Sequence, residues 1–252
     1  MKRLKYLTVL LIICGLGFLY LNRSYAYIYD HISQKNLRSP TMNQEYILKS
    51  QTPTAQNKKY VALGDSLSAG VGANSFDQTF PYLLAEKLAQ ENNISLVNLG
   101  VPGAKTKDVI SSQISQAITL NPDYLTLLIG INDIHGLIPV KKFQANFTEI
   151  INRLMTETKA KITVINIPYL GSSHLILPPY NFYFDQQTKK YNEIIQKITE
   201  QKSICYIDLY NQTKTTFAQN KKLYSSDLFH PSAEGYRLWA DIIYADSNCF
   251  TN

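Results

Sequence analysis

Ser66 follows a short apolar run, Tyr60 to Leu63, that stops at Gly64-Asp65. A serine hydroxyl is a weak nucleophile until a neighbouring base takes its proton and a third group orients that base. The sequence offers such a pair late in the chain, in Ser225-Ser226-Asp227-Leu228-Phe229-His230-Pro231. Asp227 and His230 are three residues apart, so one turn brings the carboxylate beside the imidazole. There it would fix the tautomer and support the imidazolium. The other histidines fit less well: His135 follows a strand and could line a site, His174 has no nearby acid, and His31 precedes the domain. Acyl chemistry also needs donors for a developing oxyanion. Gly103 lets the backbone approach a substrate closely, and Asn132 offers a side-chain amide just past a strand end. Each residue also has an ordinary reading. Ser66 suits a helix N-cap, His230 a surface position with an Asp cap, Gly103 a turn and Asn132 a loop. Asp65 is a poor partner for its neighbour, because adjacent side chains on extended backbone point apart. It reads as a turn-former, and Asp133 likewise.

The elements that must position these residues follow from periodicity. Strands are expected at 60–63, 95–99, 124–129, 161–167 and 204–209, the third apolar throughout and therefore central. Between them, helical spacing appears at 80–90, 106–118, 140–158, 186–201, 211–219 and 232–244. The 140–158 helix has a stripe of Phe143, Phe147, Ile150, Ile151 and Leu154. Gly70 to Ser75 reads as a flexible loop. Strict alternation predicts a three-layer α/β/α domain on about five parallel strands. Right-handed crossovers then gather the loops after every strand on one edge. Ser66, Gly103, Asn132 and the late Asp–His loop all fall on that edge, where open α/β sheets bind ligands.

Taken in order, Gly64-Asp65-Ser66-Leu67, Asn98-Leu99-Gly100 to Gly103, Gly130-Ile131-Asn132-Asp133 and Asp227-Leu228-Phe229-His230-Pro231 resemble the four motif blocks of the SGNH/GDSL serine hydrolases. The resemblance spans roughly residues 58–245. It implies a flavodoxin-like sheet with Ser66 as nucleophile, His230 as base and Asp227 as its partner. The oxyanion site it implies is the Ser66 N–H, the Gly103 N–H and the Asn132 side chain; Gly100 is the neighbouring alternative to Gly103. The chain lacks a Gly-x-Ser-x-Gly elbow, and its Asp lies just before its His, unlike the ordinary α/β-hydrolase arrangement. The implied activity is hydrolysis of carboxylic esters, thioesters and lysophospholipids among them, through an acyl-enzyme and without a metal or organic cofactor. Carbohydrate O-acetyl esters, acyl transfer and a non-catalytic surface-binding domain are the alternatives.

Tyr169 to Asp185 is a long segment too apolar to be freely solvated. Two readings stand: an acyl-binding wall over the crevice, drawing on Tyr169, Leu175, Ile176, Leu177, Tyr180 and Phe182, or a satellite core. An aromatic wall would suit sugars as well.

The net charge is +6, but residues 1–59 hold nine Lys or Arg and two acids, so the remainder is near neutral. That balance gives no basic signature for nucleic acid. Lys2, Arg3 and Lys5 precede an uncharged apolar run from Tyr6 to Leu21. This predicts an export signal or membrane anchor over residues 1–26, with the domain facing outward. Ser24-Tyr25-Ala26 would suit cleavage after Ala26. Residues 27–57 read as a linker or stalk with room for a short helix, and 58–252 as the hydrolase domain. Cys205 and Cys249 could pair in an oxidising compartment; one buried strand thiol and one free tail thiol is the preferred expectation.

Overall fold

The computed structural model describes residues 2–40, 45–245 and 249–250. Its centre is a six-stranded sheet of order β1-β3-β2-β4-β5-β6. The strands are β1 (Glu45–Leu48), β2 (Asn57–Gly64), β3 (Asn93–Asn98), β4 (Tyr124–Leu128), β5 (Lys161–Ile165) and β6 (Cys205–Ile207). β2 to β6 are parallel, and β1 runs antiparallel to β3, pairing Glu45 with Val97 and Leu48 with Ile94. Every residue of β4 is buried, in keeping with its apolar sequence and central place.

β2 sends the chain outward to β3, which then crosses back to β4 on the other side of β2. Strand order therefore reverses between β2 and β4, and a crevice opens beyond their carboxyl ends.

The helices are α1 (Lys2–Lys35), α2 (Ser66–Ala69), α3 (Phe80–Leu88), α4 (Thr106–Asp108), α5 (Ile114–Leu120), α6 (Ile131–His135), α7 (Val140–Glu157), α8 (Tyr180–Gln201), α9 (Leu209–Gln219) and α10 (Ala233–Ala245). A π-helical turn, Val109–Gln113, joins α4 to α5. The expected stripe of α7 is buried from Phe143 to Leu154. Helices α3 and α10 pack together, with Phe80 near the Tyr236 and Trp239 rings.

Three local expectations differ. Residues 27–57 hold the end of α1, including the fully buried Ile28, and the edge strand β1. β1 alternates exposed and half-buried residues, which is how a one-sided edge strand looks, but four residues are too few to stand out from sequence. Second, α8 begins at Tyr180 rather than at 186. Phe184, Thr188, Tyr191, Ile195 and Ile198 form its buried stripe, so the helical period reaches back past Asp185. Third, Cys205 and Cys249 are joined, with Cα atoms 5.5 Å apart, against the preferred expectation of free thiols. Residues 249–250 lie at the amino end of the sheet, where the Phe250 ring meets Tyr124. That placement brings the two cysteines into reach.

Candidate active site

β2 ends at Gly64, and the chain turns at once into α2, whose first residue is Ser66. The turn is held from several sides. Gln113 clamps Gly64 with both ends of its amide: Oε1 accepts from the Gly64 N–H (2.9 Å) and Nε2 donates to its carbonyl (2.8 Å). The π-helical turn carries Gln113, a frequent use of such turns at functional sites. Asp65 Oδ1 accepts from the Leu67 N–H at 3.0 Å, the turn-forming role expected of it. Asn98, at the end of β3, donates to the Ser68 carbonyl and accepts from the Gly100 N–H. The Ser66 hydroxyl is thus set on a short buried helix at the lip of the crevice.

The loop before α10 presents the imidazole. Asp227 Oδ1 accepts from the Ser225 hydroxyl (2.7 Å) and from the Phe229 and His230 amides (3.0 Å each). Oδ2 lies 2.6 Å from His230 Nδ1, and His230 Nε2 lies 2.9 Å from Ser66 Oγ. A carboxylate only accepts, so Nδ1 carries the proton and Nε2 is left to accept from the Ser66 hydroxyl. Burial alone would raise the Asp227 carboxyl. The bond and charge of His230, with the Phe229 and Ser225 donors, outweigh that and hold it down at about 2. Gly72 belongs to this arrangement rather than to a flexible loop. It has φ +98, and a Cβ there would lie 2.4 Å from the Pro231 carbonyl oxygen and 3.1 Å from His230 Cβ. A side chain at 72 would push the imidazole loop away.

The two loops of the expected oxyanion donors are tied together. Asp133 accepts from the Thr106 N–H (2.9 Å) and hydroxyl (2.6 Å), and Asn146 donates to the same hydroxyl. Asn132 Nδ2 donates to the Ala104 carbonyl at 3.0 Å, next to Gly103. One of its two amide hydrogens is used there. Gly103 is exposed, with φ +80 and open space where a Cβ would stand.

Two carboxylates near this turn carry raised pKa values. Burial pushes Asp65 up to about 7, opposed by the Leu67 amide and aided by the charge of Asp133. Asp65 Oδ2 is buried without a protein hydrogen bond. Burial raises Asp133 too, against the bonds from Thr106.

The six residues expected of a substrate wall part company. Tyr169 and Ile176 line a small pocket with Ile131, His135, Phe184 and Tyr210. Leu175 is fully buried and belongs to the core, Leu177 is half-buried, and Tyr180 turns to α1, donating from its hydroxyl to the Leu21 carbonyl. Phe182 is 67% exposed and faces solvent. The segment is therefore closer to the satellite core, for a physical reason: once α8 starts at Tyr180, its helical period aims Phe184 inward and Phe182 outward. The loop does reach the imidazole loop through the backbone, Ser172 N–H to Leu228 carbonyl at 2.9 Å.

Sequence reasoning left out Gln113, the bonds by which Asn98 holds the serine turn, and the aromatic stacking of His135. His135 stacks on Phe184 (centroids 4.5 Å apart) and meets the edge of Phe229, the neighbour of His230. Burial lowers its pKa to about 4, so it packs as a neutral aromatic ring. Gln113 carried a signal, as a polar residue on the buried side of an otherwise apolar helix.

A model of the GDSL-like lipase/acylhydrolase family matches residues 62–238, from the serine turn into α10. A GDSL-like esterase of Mycobacterium tuberculosis is 26% identical over 186 residues, covering 72% of this chain and 59% of its own length. The chain thus spans less than two thirds of that relative. An acetylxylan esterase of Geobacillus stearothermophilus is 23% identical over 170 residues, 62% of this chain and 74% of the relative. Among solved structures, a lipase/acylhydrolase from Enterococcus faecalis superposes with a TM-score of 0.63 at 23% identity, over 75% of this chain and 94% of that one. The esterase EstA from Pseudoalteromonas gives 0.61 at 22%, over 76% and 97%. At these identities the superpositions speak for the fold, and the family model speaks for the motifs. Because that model takes in most of the chain, with all four motif blocks inside its bounds, this protein is a member of the GDSL-like lipase/acylhydrolase family.

Proposed function

We propose that the chain is a serine esterase in which Ser66 is the nucleophile, His230 the general base and Asp227 the residue that orients it. The observation that carries this reading is the unbroken line from Asp227 Oδ2 through His230 to Ser66 Oγ, with contacts of 2.6 and 2.9 Å. Nε2 takes the Ser66 proton as Oγ attacks the ester carbonyl. The tetrahedral oxyanion is received by the N–H groups of Ser66 and Gly103 and the free amide hydrogen of Asn132. His230 then protonates the leaving alkoxide, and the ester C–O bond breaks. Water, deprotonated by the same imidazole, attacks the acyl-enzyme and releases the acid. The charge of Asp227 favours the imidazolium throughout and, with its pKa near 2, persists across the working range.

The apolar amino-terminal helix supports an extracytoplasmic enzyme, exported or held at the membrane by α1. Small esters, acyl lipids and acetylated glycans all fit the chemistry. The acetylated glycans gain support from the acetylxylan esterase relative.

The test is turnover of p-nitrophenyl esters of increasing acyl length, with Ser66→Ala as control. Wild-type turnover, lost in Ser66→Ala together with fluorophosphonate labelling, is expected. Undiminished turnover by Ser66→Ala would overturn the assignment.

A further inference from the structure

α1 is one continuous helix from Lys2 to Lys35, and its second half is docked on the domain. Ile28 is fully buried and Ser24 nearly so. The Tyr20 hydroxyl donates to the Pro178 carbonyl at 2.8 Å, Tyr180 donates back to the Leu21 carbonyl, and the Tyr25 ring lies against Tyr180. Further along, the Tyr29 hydroxyl lies 3.5 Å from His135 Nδ1. His135 touches Phe229, so α1 stands two side chains from the imidazole of His230. The helix therefore docks at the carboxyl edge of the sheet, the edge that holds Ser66.

The position of the apolar run fixes the rest. Tyr6 to Asn22 carries no charge and rises about 25 Å as a helix, within reach of a bilayer's hydrocarbon core. Its residues are exposed, for example Leu11 at 64% and Phe18 at 66%. Tyr20 and Leu21 belong to the last turn of that run, and they touch Pro178 and Tyr180. If the run lies in hydrocarbon, the segment 178–182 must lie level with its end, at the headgroups. The exposed large apolar side chains outside α1 agree. Among the described residues they are Ile47, Val101, Leu137, Met155, Phe182 and Tyr183. Val101, Leu137, Phe182 and Tyr183 follow β3, β4 and β5, all on the carboxyl edge. Apolar side chains that share one edge with an apolar helix mark a surface that meets lipid.

We infer that the crevice edge of this enzyme rests on the bilayer that holds α1, and that its substrate is an acyl lipid taken from that surface. This rests on Ser66 as nucleophile and on retention of α1. Acyl-lipid ester carbonyls lie between hydrocarbon and headgroups, the level at which the docked helix sets the edge. Ser66 would take the acyl group, water would release it as a fatty acid, and the proton would go to the lipid alkoxide.

The experiment uses the full chain in phosphatidylcholine–phosphatidylglycerol vesicles with plain or brominated acyl chains. The chain has one tryptophan, Trp239, which is fully buried. A tryptophan introduced as Phe182→Trp should lose emission in brominated vesicles, and one introduced as Met155→Trp, near the end of α7 away from that edge, should keep it. In plain vesicles, the pair Leu137→Asn and Phe182→Ser should lower turnover of a vesicle-borne long-chain ester several-fold and leave soluble p-nitrophenyl acetate turnover unchanged. Equal quenching at both positions, or none at 182, would overturn the placement. Quenching at 182 with soluble turnover but no vesicle turnover would overturn the lipid substrate. Fluorophosphonate labelling of Ser66 in the same vesicles reports on the nucleophile separately, so a failed placement is distinguishable from a failed mechanism.

Discussion

At the scale of single residues, the contacts around Ser66 make separable predictions. On the proposed mechanism, Asn132→Ala removes a donor to the developing oxyanion, together with the bond that side chain makes to the Ala104 carbonyl. It should lower kcat about 10²–10³-fold with little change in KM, read from steady-state kinetics on one soluble ester. Asp65 predicts a pH effect on stability. Its carboxyl titrates near 7 in the folded chain and near 4 when unfolded, so between those values the native state holds a proton that the unfolded state has lost. Stability therefore falls as pH rises from about 4 to about 7, and the charge is buried above that. Asp65→Asn keeps the acceptor for the Leu67 amide and removes the charge. Relative to wild type, it should gain up to about 4 kcal/mol between pH 4 and pH 8 in denaturant unfolding. A constant difference across that range would show that Asp65 does not titrate there. The residue types for ester chemistry were legible because they sit in the turns and loops between strands and helices, where glycine, proline and polar residues interrupt apolar runs. The unpartnered Oδ2 of Asp65 was not, since burial depends on what packs above the turn.

At the scale of elements, the π-helical turn and the disulfide carry the predictions. Gln113→Ala would leave the buried N–H of Gly64 without its side-chain acceptor, at about 1–3 kcal/mol, while the Gly64 carbonyl keeps the Val101 N–H at 3.1 Å. A lower Tm is expected, and a lower kcat with it, because Ser66 is two residues from the clamp. The Cys205–Cys249 bond closes a separation of 44 residues. Reduction should cost about 4 kcal/mol on the chain-entropy scale, measured by unfolding with and without reductant. Strand positions and helix alternation were readable, since a five-residue apolar run between turns has few other uses. Two boundaries were not. β1 is defined by its partner β3 rather than by its own pattern, and α8 starts early because Phe184 finds the His135 ring to stack on. Both depend on contacts distant in sequence. The cysteine pairing belongs with them, for spacing alone does not tell where a terminal segment returns.

At the scale of the whole molecule, the near-neutral domain and the basic, apolar amino terminus would, on the proposed reading, divide the chain between water and lipid. Removing residues 1–19 should leave Tyr20 and the docked half of α1 in place, giving a soluble chain that turns over p-nitrophenyl acetate at the full-length rate. That comparison separates the helix as anchor from the helix as a wall of the crevice. The amphiphilic division was plain in the sequence. The docking was not, because Ile28 resembles any other isoleucine until the helix is seen to run on past the expected end of the leader. Continuity of α1 also has a mechanical side. A helix advances 1.5 Å and turns about 100° with each residue, so, with the apolar run held in a bilayer as inferred above, the count of residues between Tyr6 and Tyr20 would set both height and heading of the domain. One residue inserted before Tyr20, ahead of the docked half, would raise it only slightly but swing it about a quarter turn around the helix axis. Seven would restore the heading, about two turns higher. In this protein chain length acts as a protractor, and aim is written in the spacing of residues that touch nothing catalytic.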